Sequence, residues 1–330
     1  MFKIQTLNNI SVRGLDRLPR DTFEVASEMT SPDAIMVRSA DMHKRDIPAS
    51  VRAIGRAGAG TNNIPVAAMS KRGVPVFNAP GANANAVKEL VLAGLLLASR
   101  NIAPALDFVR KLEGDDKALH EAVEAGKKKF VGFELPGRSL GVIGLGAIGI
   151  KVANAALDLG MEVWGYDPAM TVNNAWKLDA RVRRAVSVDD LISRSQFVSL
   201  HVPLIDATRN LVNADRLKLL KKQGVVLNFS RAPIVDEAAM VEALNAGTLH
   251  AYICDFPSVT LQGHPRVVAT PHLGASTGEA EENCAVMVAD QLRDYLETGN
   301  VTNSVNFPDA VLPLLPGKIR LAIVNENVPN

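Results

Sequence analysis

The stretch SLGVIGLGAIGIKVANAALDLGMEVWGYDP, Ser139 to Pro168, decides the fold. It opens on an apolar run, Leu140 to Ile143. A tight turn follows, Gly144-Leu145-Gly146-Ala147-Ile148-Gly149. Apolar residues then recur at helical spacing, at Ile148, Val152, Ala155, Ala156 and Leu159, until Gly160. A second apolar run, Met161 to Tyr166, ends at Asp167, 18 residues beyond the last glycine of the turn. The order is strand, glycine turn, helix, strand, acid. A bare G-x-G-x-x-G is weak, but in this context it reads as a dinucleotide-binding unit. Gly144 permits the turn, Gly146 admits a pyrophosphate to the backbone, and Gly149 lets helix and strand pack closely. The phosphates would sit at the helix N-terminus, over Ala147 and Ile148. Asp167 would accept hydrogen bonds from ribose hydroxyls and repel a 2′-phosphate. No Lys or Arg lies between Pro168 and Val172, so the features favour NAD over NADP. An ordinary parallel unit would use such glycines for packing alone and would not need the acid.

Outward from this unit, the signals of strand and helix continue to alternate, which argues for parallel sheets covered on both faces. The early strands are read at Lys3–Thr6, Thr22–Ala26, Ala34–Arg38, Ala53–Ala57 and Val74–Asn78. The later ones are Val182–Val186, Phe197–Leu200, Val225–Phe229, Ala251–Cys254 and Val267–Ala269. Ala86 to Arg100 reads as an apolar helix. Thr277 to Glu297 reads as a long helix with an apolar stripe at Ala280, Cys284, Met287, Val288, Leu292 and Leu296. It is too long to be only a cap, so it is expected to return the chain to the first domain. The division expected is residues 1–100 with 286–307 as a discontinuous substrate domain, 101–285 as a cofactor domain, and 308–330 as a tail.

The chain has 330 residues, 47% of them hydrophobic, and a net charge of +1. That is enough for two cored domains and gives no general attraction to nucleic acid or membrane. The two cysteines, Cys254 and Cys284, have no metal-ligand spacing and form no disulfide framework. The start, MFKIQTLNNI, lacks the pattern of a signal peptide, and a cytoplasmic protein is expected. Ligands in open α/β sheets bind at the carboxyl ends of strands. There the first half offers Arg56, the glycine-rich Gly58-Ala59-Gly60, and Asn83. A surface ion pair is the ordinary alternative for Arg56. The basic run Lys127-Lys128-Lys129 reads, in isolation, as a solvated face. In the second half, His201, Arg231 and His272 each lie just past an apolar strand. Hydride transfer at a carbinol needs a cation for the carboxylate and carbonyl oxygen and a proton acceptor for the hydroxyl. Arg231 suits the first task and His272 the second, because imidazole titrates near neutrality. A histidine at a strand end serves as often in a purely structural hydrogen bond.

Together these residues resemble the D-2-hydroxyacid dehydrogenase family, and within it the branch that acts on a phosphorylated acid. The matching stretches are Gly55-Arg56-Ala57-Gly58-Ala59-Gly60-Thr61-Asn62-Asn63, Asn78 to Asn83, Gly141 to Gly146, Asn228-Phe229-Ser230-Arg231 and Thr270-Pro271-His272-Leu273-Gly274-Ala275-Ser276-Thr277. They cover residues 1 to 307. The resemblance implies a doubly wound Rossmann cofactor domain inserted into a flavodoxin-like parallel α/β substrate domain. It implies NAD as cofactor, a small-molecule substrate and a homodimer formed through the cofactor domain. By the same resemblance Arg231 and His272 are catalytic. Arg56 would reach a substrate phosphate, helped by Lys127 and its neighbours, and Ala59, Gly60 and Asn83 would hold the carboxylate. His201, Pro203, Thr208 and Gly274 would line the cofactor cleft, and Asp255 would approach the nicotinamide amide.

Two departures stand out. The family pairs its histidine with a glutamate, and counting from Phe256 that position holds Val259. No acid occurs between Asp255 and His272. A slow or altered dehydrogenase is therefore one expectation, and an NAD-binding sensor or scaffold with weakened catalysis is another. A dehydrogenase for a different D-2-hydroxy acid is a third. The second departure is the tail. Lys318 to Asn325 resembles the opening strand of an ACT-type regulatory domain, and Ile319 to Val324 reads as a β run. Control through such a domain is expected to be absent, or the chain is a fragment.

Overall fold

The computed structural model describes residues 1–313, 315 and 317. The tail strand expected at Ile319–Val324 lies outside the described residues. The chain divides into a split unit, Met1–Asn83 with Ser276–Asn330, and a continuous unit, Ala84–Ala275.

The first segment of the split unit runs β1 (Phe2–Leu7), α1 (Val12–Leu15), β2 (Phe23–Ala26), β3 (Ala34–Val37), β4 (Ala53–Arg56), α2 (Val66–Lys71) and β5 (Val76–Phe77). The strands form one sheet in the order β2-β1-β3-β4-β5, with every pairing parallel. This is the flavodoxin-like order. The inner strand β3 is buried along its whole length, as a strand covered on both faces must be.

The continuous unit runs α3 (Ala84–Ser99), α4 (Ile102–Arg110), α5 (Asp116–Gly126), β6 (Ser139–Ile143), α6 (Ala147–Asp158), β7 (Glu162–Tyr166), α7 (Val172–Ala175), β8 (Arg183–Arg184), α8 (Val188–Arg194), β9 (Phe197–Leu200), α9 (Ala214–Leu219), β10 (Gly224–Asn228), α10 (Glu237–Asn245), β11 (Leu249–Cys254) and β12 (Val267–Ala269). Its sheet has the order β12-β11-β10-β9-β6-β7-β8, again all parallel. The strand order reverses between β6 and β9. That is the topological switch point, where a doubly wound sheet opens a crevice for a ligand.

The last helix, α11 (Gly278–Thr298), belongs to the split unit. Thr277 caps it, its side chain accepting from Ala280 N. Its buried stripe of Ala285, Val288, Ala289, Leu292 and Leu296 shares a core with Ile4, Met36 and Phe77. A Cβ on Gly55 would meet Val288 at 2.4 Å and Leu292 at 2.8 Å. Glycine in β4 is what lets the helix lie so close to the sheet.

The division of contacts is set earlier along the chain than the boundaries expected at residues 100 and 285. It falls at Asn83/Ala84 and at Ala275/Ser276. The reason is α3. Its buried face, Val87, Val91, Leu95 and Ala98, shares a core with Leu140, Leu227 and Ile253 of the continuous unit. Its apolar content is thus accounted for by that unit's own core. At the other boundary, Ala280, Cys284 and Ala285 are buried within the split unit, so the whole of α11 stays together.

Candidate active site

The glycine turn sits at the switch point. Gly144 takes a φ of 91°, and a Cβ there would lie 2.5 Å from the carbonyl oxygen of His201 at the end of β9. A Cβ on Gly149 would lie 1.9 Å from the carbonyl oxygen of Gly144, so α6 can start against β6 only with glycine at that place. Gly146 is different. A Cβ there would meet nothing within 4 Å, so the space beside the backbone is open. No side chain caps α6 at Gly146. Asp167, at the end of β7, accepts from Leu145 N at 2.8 Å and from Ala169 N at 2.8 Å. An open approach to a helix N-terminus beside a fixed carboxylate fits a dinucleotide, its pyrophosphate at Gly146 and its ribose at Asp167.

His201 follows β9. Its N–H donates to Ile143 O at 2.8 Å, and its Nε2 shares a hydrogen bond with Ser199 Oγ at 2.8 Å. Burial of the ring pushes its pKa down to about 4, although the residue keeps some exposed surface. The imidazole is therefore neutral at physiological pH. Thr208 donates its hydroxyl to Pro203 O at 2.6 Å and accepts from Ile205 N at 2.9 Å, which closes the loop after His201.

Arg231 and His272 stand beyond β10 and β12 on the carboxyl side of the sheet. Arg231 is exposed, and its turn is built by Asn228, the fully buried last residue of β10. Asn228 Nδ2 donates to Arg231 O at 2.9 Å, and its Oδ1 accepts from Ser230 N at 3.1 Å. An amide that ends an otherwise apolar strand is the signal for this part, and its supporting role shows only in three dimensions. His272 has a φ of 57°, in the left-handed region that few non-glycine residues enter. Its N–H lies within hydrogen-bond reach of Asp255 O and Thr270 O, and its ring packs 5.2 Å from that of Phe256.

Asp255 is only 1% exposed. Its Oδ1 accepts from Thr270 Oγ1 at 2.6 Å and Leu273 N at 2.7 Å, and its Oδ2 from Gly274 N at 2.7 Å. Both oxygens are engaged in holding the loop that carries His272. This is a different task from the nicotinamide contact expected of it. Val259, where a glutamate was looked for, is 91% exposed. Beside it, Ser258 Oγ donates to Glu237 at 2.7 Å, which fixes the segment after Asp255.

In the split unit, the two glycine-rich loops are joined. Asn78 Nδ2 donates to Ala59 O, and Ala79 N donates to Gly58 O at 3.0 Å. Arg56 ends β4, and its Nε donates to Arg38 O at 3.1 Å. Its guanidinium lies where a Cβ on Gly58 would be, 2.1 Å from Nη1. Gly60 and Asn83 are half-buried in these loops. Arg38, at the end of the adjacent β3, pairs with Glu281 of α11. It is a second guanidinium at the same sheet edge, where it closes an apolar strand as a turn residue does. Lys127 pairs with Glu124 one turn earlier in the continuous unit, which compensates its charge locally.

Residues 98–274 match the family model described as D-isomer specific 2-hydroxyacid dehydrogenase, NAD binding domain. The chain belongs to the D-isomer-specific 2-hydroxyacid dehydrogenase family. It is 34% identical over 320 residues to a D-3-phosphoglycerate dehydrogenase of Methanocaldococcus jannaschii, covering 92% of this chain and 58% of that protein. It is 36% identical over 281 residues to the enzyme of the same name from Haemophilus influenzae, covering 82% and 65%. The chain thus spans less than two thirds of the length of these relatives. Among solved structures of such dehydrogenases, NAD+-bound 3-phosphoglycerate dehydrogenase of Entamoeba histolytica matches with a TM-score of 0.70 at 26% identity, covering 93% of this chain and 99% of that one. Apo D-mandelate dehydrogenase of Rhodotorula graminis shares the fold with a TM-score of 0.78 at 22% identity, covering 94% and 99%. Among the described residues, no single helix is long and apolar enough to cross a membrane.

Proposed function

We propose that this protein oxidises D-3-phosphoglycerate to 3-phosphohydroxypyruvate with NAD, the entry step of the phosphorylated route to serine. The observation that carries the reading is one sheet edge. The carboxyl side of the continuous unit's sheet holds the open glycine turn with Asp167, and also Arg231 and His272. When bound, the nicotinamide ring accepts the hydride. The protein supplies the rest. Arg231 binds the 2-hydroxy acid and polarises the oxygen at C2. His272 takes the proton of the C2 hydroxyl. The Asp255 carboxylate keeps the His272 loop in its left-handed turn. Ala59, Gly60 and Asn83 receive the substrate carboxylate. Arg56 selects the phosphate by the planar, charge-assisted bonding that guanidinium offers.

The test is NADH formation from D-3-phosphoglycerate, D-glycerate and D-lactate. The phosphorylated acid is expected to be preferred. Arg56→Ala should raise KM tenfold or more for it while leaving the plain acids unchanged. An equal loss on all three would remove the phosphate role and favour a dehydrogenase of another D-2-hydroxy acid. No turnover of any acid, with NADH still bound, would favour an NAD-binding sensor. That reading rests on Val259, where an acid would otherwise support the imidazolium. Val259→Glu should accelerate ketone reduction above neutral pH, because a carboxylate near His272 favours its protonated form. An unchanged pH–rate profile would rule that out.

Cytoplasmic metabolism is the setting this chemistry implies. A homodimer through the continuous unit also belongs to the reading. Its support is α4, which has no buried residue and exposes Leu106 and Val109. Light scattering of the purified chain measures the state directly.

A further inference from the structure

The amino end of the continuous unit's sheet carries a cluster of cations with no place in the chemistry above. Arg138, Lys221 and Lys222 line a cavity of about 480 Å³ together with Phe133, Gln196 and Gln223. No carboxylate among the described residues lines it. The Arg138 guanidinium lies 4.1 Å from the Phe133 ring centroid, donates Nη1 to Gln196 Oε1 at 2.9 Å, and donates Nε to Glu134 O at 2.6 Å. Lys221 Nζ donates to Ser139 Oγ at 3.1 Å, and Ser139 is buried. Both cations are held in place by neutral groups. Other arginines of this unit are held by carboxylates, as Arg194 is by Asp190 at 2.6 Å and Arg216 by Asp189 at 2.7 Å. A cation fixed by a carboxylate is largely neutralised, whereas one fixed by a ring face, an amide or a hydroxyl keeps its field for a ligand.

The positive lining extends further. Gln223, with a φ of 62°, also borders an adjoining cavity of about 290 Å³ whose other lining residues include Lys129, His250 and Arg266. Again no carboxylate among the described residues lines it. Cations commonly gather at helix C-termini, where they offset the macrodipole. That accounts for Lys221 and Lys222, which follow α9. It does not account for Arg138, which precedes a strand and is stacked on an aromatic ring.

We propose that this cavity binds a small phosphate-bearing anion. Guanidinium and ammonium together suit a multiply charged phosphate group, and the volume is that of a small-molecule site. The site is not the glycine turn. Strand β6 runs from Ser139, which Lys221 reaches, to Ile143 at the turn, four steps, or roughly 13 Å at 3.3 Å per residue. The experiment is calorimetric titration of inorganic pyrophosphate into the full chain saturated with NADH, which occupies the turn. Binding at this cavity is expected in addition to any at Arg56. Its affinity should fall at least tenfold in Lys222→Glu and in Lys221→Ala and should be unchanged in Arg56→Ala. Both lysines are exposed, so NADH binding and thermal midpoints should match the parent protein and show that the variants are folded. Unchanged affinity in the two lysine variants would overturn the proposal. So would loss of all pyrophosphate binding in Arg56→Ala, or no binding to the parent protein at millimolar concentration.

Discussion

Gly146 and Gly149 are three residues apart, and substitution at each should fail in its own way. A methyl group at Gly149 would be driven into the Gly144 carbonyl oxygen, so Gly149→Ala should destabilise the fold by about 1–3 kcal/mol, as overpacking does. A methyl group at Gly146 meets no protein atom, so Gly146→Ala should leave the melting curve in place and weaken NADH binding tenfold or more. Calorimetry and NADH fluorescence on the two variants separate these effects, and equal stability loss in both would contradict the open approach. His201 gives a pH prediction. Its folded pKa of about 4 lies below the ordinary 6.5. Between those values the unfolded chain holds the extra proton, so stability is full above pH 6.5 and is lost as pH falls towards 4, by at most about 3 kcal/mol. His201→Asn should flatten that limb of a melting-temperature profile, and a parallel fall in the variant would assign it to other groups. Sequence reading reached the glycines and Asp167 because their roles are set by backbone geometry within one supersecondary unit. The sequence does not show that Asp255 holds the His272 loop, because its two oxygens find their donors some fifteen to twenty residues further on.

Helix α11 shows the same contrast between elements. Its cap at Thr277 and its stripe of apolar residues are local patterns, and the helix begins where they place it, at Gly278. Thr277→Ala should cost about 1 kcal/mol, the usual worth of an N-cap side chain. Leu292→Ala should cost about 2–5 kcal/mol, because Leu292 is fully buried in the split unit's core. Denaturant unfolding of the full chain measures both, and a cap effect equal to the core effect would argue against the packing described. The short elements were less legible. The strand expected at Val182–Val186 is only Arg183–Arg184. Edge pairing and terminal turns depend on neighbours that local propensity does not specify.

For the molecule as a whole, the two parallel sheets and the discontinuous chain path were legible, and the exact places where the chain passes between units were not. An apolar helix is apolar whichever core receives it, so α3 could not be allotted from its own residues. The boundary has a direct test. A fragment beginning at Ala84 and ending at Ala275 should unfold cooperatively and bind NADH. One beginning at Asn101 lacks Val87, Val91, Leu95 and Ala98 from its core and should do neither. Equal behaviour of the two would return α3 to the split unit.

The split unit also fixes an order of events during synthesis. Its sheet strands β1 to β5 leave the ribosome first, but the helix that fills their core arrives only after the whole continuous unit has been made. At elongation rates of about 5–20 residues per second, the intervening roughly 200 residues take about 10–40 s. Through that interval the face that will receive Val288, Leu292 and Leu296 has no covering helix, while the continuous unit has all of its own sequence. The nascent chain therefore completes its cofactor-binding half before the half made ahead of it, and the amino-terminal strands are the segment that a ribosome-associated chaperone would hold.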